Sequence, residues 1–105
     1  MSEHALLSLE PSGAARVDGA LTLATVTALY EQAATASRNG KLMQSLNLSD
    51  VSHVDSSGLA LVLEWKSEAR RGGRDLPIHE APADLLSLAR LCAASELLDM
   101  DGRDS

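Results

Sequence analysis

The chain has 105 residues, 11.1 kDa and a formal charge of −6, from 9 Lys+Arg against 15 Asp+Glu. That length supports one domain with one core, without room for an enclosed substrate chamber. Phe is absent and the aromatic residues are Tyr30 and Trp65, so the core has to be aliphatic and stacking platforms for single-stranded nucleic acid are missing, while the acidic excess disfavours phosphate backbones and anionic lipid.

In chain order, ALLSLEPSG followed by AARVDGAL reads as two short strands around a Pro-Ser-Gly turn, with Leu7, Leu9, Ala15 and Val17 alternating toward one face. From Thr22 the spacing becomes helical through Leu23, Val26, Leu29, Tyr30 and Ala33, and Asn39-Gly40 supplies the stop. KLMQSLNLSDV fits a strand, which His53-Val54 extends or leaves. Asp55-Ser56-Ser57-Gly58 punctuates the chain before LALVLEWKSEARR, a helix ended by Gly72-Gly73, whose last turns hold Lys66, Arg70 and Arg71 where the helix dipole favours cations. DLPIHE is a short strand. Pro82 sits at the first position of a helix that runs through Leu85, Leu86, Leu88, Ala89 and Leu91 to Cys92. SELLDM forms a final apolar element before the polar DGRDS.

The order β-β-α-β-α-β-α predicts an α/β fold, a mixed sheet of about four strands with helices packed on it. It is expected to occupy residues 1–100 as one domain, with 101–105 as a polar tail. The longest apolar run, Leu59 to Leu63, is far short of the roughly 20 residues that span a bilayer. MSEHALLSLE lacks a basic segment followed by an apolar one, so a cytoplasmic location without direct membrane insertion is expected. The lone cysteine, Cys92, cannot form an internal disulfide and reads as a small core residue on a helix.

The feature that carries chemistry is Asp55-Ser56-Ser57-Gly58, where a strand hands over to a helix. Asp and Ser cap helices by accepting bonds from the first free amides, and Gly permits close backbone passage. A capped helix start is one reading. The other is an outward hydroxyl at a helix N-terminus, whose amides and dipole favour phosphate, which makes Ser56 and Ser57 candidates for phosphorylation or docking. On a helix starting at Ser57, Leu59, Val62 and Leu63 face the sheet. Ser57, Leu61, Glu64 and Glu68 fall on the other side with Trp65 beside them, and Lys66 lies near the apolar centre, snorkelling at the helix end. Ser57, Leu61 and Trp65 are therefore expected to form an exposed contact patch, Trp being a common interface anchor; Trp65 covering a neighbouring helix is the alternative.

LNLSDVSHVDSSGLALVLEWKSEARRGG resembles the signature of the STAS domain family, the anti-sigma-factor antagonists and the cytoplasmic tails of sulfate transporters. The likeness rests on an Asp-Ser/Thr-Ser/X-Gly-Leu core after a Leu-Ser-X-Val segment and extends over nearly the whole chain. LSDVSHVDSSGLALVLEW and DLLSLARL are most similar to the MlaB-type branch of that family. The resemblance implies a cytoplasmic, non-catalytic subunit, peripheral at the inner membrane. It would bind the ATPase subunit of a phospholipid-trafficking ABC transporter, in a complex with permease and substrate-binding subunits that maintains outer-membrane lipid asymmetry. It also implies that Ser56, Ser57, Leu61 and Trp65 lie at or near the ATPase contact. In anti-sigma-factor antagonists the second hydroxyl of the motif is the kinase target, here Ser57; MlaB-type proteins often retain only the first, here Ser56. This chain has both.

Other classes fit less well. His4, His53 and His79 are widely separated and no metal-ligand spacing occurs, so neither a metal nor a cofactor is expected. Ser57, His53 and Asp55 lie too close along one strand and loop to set nucleophile, base and orienter in line. Gly72-Gly73-Arg74 lacks the Gly-Lys-Ser/Thr of a phosphate loop. The rival is another binding module, an anti-sigma-factor antagonist switched by phosphorylation of Ser57.

Overall fold

Alternating apolar residues on either side of Pro11-Ser12-Gly13 fold back as a hairpin in the computed structural model, which describes residues 3–92. Strands β1 (Ala5–Leu9) and β2 (Ala14–Leu21) pair antiparallel with Leu7 opposite Val17 and Leu9 opposite Ala15, so the predicted apolar face is continuous across them. Gly13, at φ 95°, donates its amide to Glu10 O at 2.8 Å and closes the turn in a conformation that side chains resist.

Beyond the hairpin the chain alternates helix and strand: α1 (Val26–Arg38), β3 (Ser45–Val54), α2 (Ser56–Arg71), β4 (Ile78–His79) and α3 (Ala83–Leu91). The sheet order is β1-β2-β3-β4, with β3 parallel to both β2 and β4. Two right-handed crossovers that step the same way across a sheet leave α1 and α2 on the same face. There they touch one another, and α3 packs beside α2. The opposite face carries Leu6, Arg16, Asp18 and Asp50, all exposed. No described helix is long and apolar enough to cross a membrane.

The glycine stops work as read. Gly40 (φ 82°) follows α1, with its amide on Ser37 O and that of Lys41 on Ala36 O; Gly73 (φ 77°) repeats the pattern after α2, with Gly73 on Arg70 O and Arg74 on Ala69 O. Each left-handed glycine satisfies carbonyls that the helix end would orphan. Pro82 differs by one place: with ψ 153° it is the extended residue ahead of α3 rather than its first helical one. SELLDM, DGRDS and both domain boundaries, 1–100 and 101–105, lie outside the described residues.

The core is aliphatic apart from one indole, and its composition overturns the expected exposed patch. Leu61 is 6% exposed and Trp65 4%, both members of the cluster formed with Leu29, Leu46, Leu48, Val62 and Leu85. On the wheel Leu61 and Trp65 fall away from the sheet-facing stripe, and for Trp65 the alternative, cover by a neighbouring helix, is the arrangement found. In the fold α1 lies alongside, and α2 buries a second stripe, Leu61 and Trp65, next to the one made by Leu59 and Val62. Leu63 is only half-buried.

Lys66 departs from expectation in the same way. Its side chain is 1% exposed and does not reach water; Nζ donates to Leu76 O at 2.7 Å, with Asp75 Oδ1 at 3.5 Å. A buried ammonium is tolerated only with such partners, and here it ties α2 to the segment entering β4. Leu23, Tyr30, Leu91 and Cys92, all on the expected apolar helix spacings, are exposed. Leu23 precedes α1 in the turn after β2, and Cys92 caps α3 at its exposed end.

Candidate functional site

Asp55 organises the junction between β3 and α2. It is the N-cap: one carboxylate oxygen accepts from the amides of Ser57 at 2.9 Å and Gly58 at 3.1 Å. The other accepts from the amide of Leu23 at 3.0 Å. One side chain thus holds both the start of α2 and the turn leaving β2. Burial opposes its ionisation, but the Leu23, Gly58 and Ser57 amides and the nearby His53 outweigh that and keep its pKa below the ordinary carboxylate value. The amides expected to face a phosphate are therefore already taken by Asp55.

Gly58 has a steric role. A Cβ there would sit 2.1 Å from Leu21 O, well inside contact distance, so only glycine lets the first turn of α2 lie against the end of β2. Of the two hydroxyls, Ser56 is exposed at the first helical position and Ser57 is half-buried. Ser57 lines a groove of about 550 Å³ between α1 and α2 with Val26, Tyr30, Glu31, Leu61 and Glu64. Leu61 belongs to this groove as buried floor, whereas Trp65 lies under the loop after α1, beside Ala33, Leu42 and Met43.

Across the groove Tyr30 donates to Glu68 Oε2 at 2.8 Å; that bond and the carboxylate's charge raise the phenol's pKa and keep it a neutral donor. Glu64 has Arg71 at 3.4 Å. Beside the motif, Glu3 accepts from Thr22 and pairs with His53, and the Thr22 bond followed by the His53 bond lowers its pKa. The imagined triad does not assemble: His53 faces Glu3 and Ser52, while Asp55 is engaged with backbone amides.

Sequence reasoning missed Leu23. It counted toward the apolar stripe of α1, yet it is 75% exposed, with its amide tied to Asp55 beside Ser56. Its position before the residues that start the helix, Thr25 and Val26, was the available signal.

A family model described as "Mlab, STAS domain" matches residues 8–99. The chain belongs to this STAS family. It is 30% identical over 81 residues to the intermembrane phospholipid transport system binding protein MlaB of Haemophilus influenzae, across 74% of this chain and 77% of that one. Among solved structures, the STAS fold seen here is similar to the phosphorylated form of the Bacillus cell fate determinant SpoIIAA (TM-score 0.66, 15% identity, 95% of this chain and 93% of that one). The anti-sigma factor antagonist SpoIIAA in its unphosphorylated form gives a TM-score of 0.64 at 17% identity, covering 84% and 83%. At those identities the likeness is one of fold.

Proposed function

We propose that this chain is a non-catalytic cytoplasmic STAS subunit that binds the ATPase subunit of an MlaB-type ABC transporter, peripheral to the inner membrane, and supports phospholipid transport that maintains outer-membrane lipid asymmetry. The observation that carries the reading is the 30% identity to a phospholipid transport system protein across three-quarters of both chains. The docking surface is the N-terminal end of α2: Ser56, Ser57 and the neighbouring Leu23, held in register by Asp55. Leu61 and Trp65 support it from beneath, and their contribution to binding runs through the position of α2.

Co-purification on a tagged ATPase subunit tests this. The wild-type chain is expected to be retained, and Leu23→Asp combined with Ser56→Asp to be lost while still folded. Equal recovery of the variant refutes the surface, and no recovery of wild type refutes the partner. ATP turnover by the isolated chain well above that of a Ser57→Ala control refutes the non-catalytic role.

Ser57 also supports a second reading, the phosphorylation-switched anti-sigma-factor antagonist. Ser57 lines a groove with Glu31 and Glu64, where a phosphate adding about −1.5 to −2 charges would change which partner surface fits. Neighbouring kinase and sigma-factor genes, with phosphate found on Ser57 by mass spectrometry, favour this reading; neighbouring ATPase, permease and substrate-binding genes favour the transporter.

A further inference from the structure

We infer that the groove between α1 and α2 receives a basic side chain of the partner, best met by arginine. This rests on the ATPase-binding reading and names the chemistry of that contact. The floor is apolar, made by Val26, Leu61 and the ring of Tyr30, and the rim is acidic, with Glu31 on α1 and Glu64 on α2. Glu31 takes part in no ion pair or side-chain hydrogen bond among the described residues. Glu64 is held by an Arg71 contact of 3.4 Å between two exposed side chains, a pair weak enough to exchange for an incoming cation. Tyr30, half-exposed and held at its hydroxyl by Glu68, brings an aromatic ring to the lining. A guanidinium suits these three features together: a planar cation that stacks on an aromatic ring while its N–H groups fork to carboxylates. An anionic headgroup or phosphate would meet two carboxylates at the rim. The groove is continuous with the docking surface through Ser57, so a partner seated on the N-terminal end of α2 reaches it directly.

The test is the affinity of the chain for the ATPase subunit at low and high salt. Wild type is expected to weaken as salt rises. Glu31→Lys with Glu64→Lys is expected to bind at least about tenfold more weakly at low salt and to lose the salt dependence. Asp18→Lys with Asp50→Lys makes the same change in net charge on the exposed sheet face, where the two residues are register partners, and is expected to bind as wild type. Equal binding by the two double variants overturns the groove assignment while leaving the ATPase reading intact. Failure of wild type to bind overturns both. Glu31→Lys alone, at an exposed and unpaired position, reports an intermediate loss should the double variant fold poorly.

Discussion

Replacing Asp55 by alanine removes three acceptor contacts at once. Two are the N-cap bonds to Ser57 and Gly58, and the third is the tether to the Leu23 amide. Loss of a helix N-cap costs typically about 1 kcal/mol. The Leu23 amide is exposed and recovers water, so its loss adds about 1 kcal/mol, the net worth of one hydrogen bond. The total, about 2 kcal/mol, corresponds to a fall in Tm of roughly 8–16 °C for a domain of this size. Asp55→Asn keeps an acceptor for the cap but turns an N–H toward Leu23, so about half that loss is expected. The effect carries a pH signature. The folded-state pKa of Asp55 is depressed, so its contribution is complete above the unfolded value near 3.9 and disappears as pH falls through the lower folded value. Thermal and urea unfolding of wild type and Asp55→Ala from neutral pH into the acid range should show a gap that is widest at neutral pH and closes below about pH 4. A gap under about 0.5 kcal/mol at neutral pH, the range of an ordinary surface change, would refute the argument. So would a gap that widens on acidification.

Gly58→Ala places a Cβ 2.1 Å from Leu21 O and 2.8 Å from Leu21 C, and backbone cannot rotate away; a loss of about 3 kcal/mol is expected in urea denaturation, and a wild-type midpoint would contradict it. Trp65 is the single tryptophan, so intrinsic fluorescence reads its environment directly: blue-shifted emission and weak acrylamide quenching are expected until unfolding, and solvent-like quenching in the native state would contradict its burial. Trp65→Ala should cost about 3–5 kcal/mol as a large-to-small core change, with any loss of binding tracking the unfolded fraction.

Much of the architecture was legible residue by residue. Leu7, Leu9, Ala15 and Val17 lie on one face because strand side chains alternate whatever the strand packs against. Gly40 and Gly73 end helices because the left-handed conformation after a helix is a property of the backbone itself. Asp55 is legible as the cap because capping needs only the first turn of α2, and Gly58 is legible as a close-passage residue by type, although the backbone it passes, Leu21, is set by the fold. Second neighbours were not legible. A helical wheel has one centre, while α2 is covered by the sheet and by α1 together, so Leu61 and Trp65 fall on the outward side of the wheel and are core, Trp65 through the alternative of a covering helix. Leu23 looked inward, as part of a helical spacing, until the turn held by Asp55 set it outside the helix.

By itself the sequence determined the order of the elements, the apolar faces of the strands, the helix stops and the motif at the head of α2, all set by contacts within a few residues along the chain. Only the tertiary structure decided that the Lys66 ammonium ends on Leu76 O, that Glu31 and Glu64 share a groove with Ser57, and that one carboxylate, Asp55, joins segments 32 residues apart. The physical reason is the same for each: these contacts cross between elements, and local spacing carries no record of which face a neighbouring helix will cover.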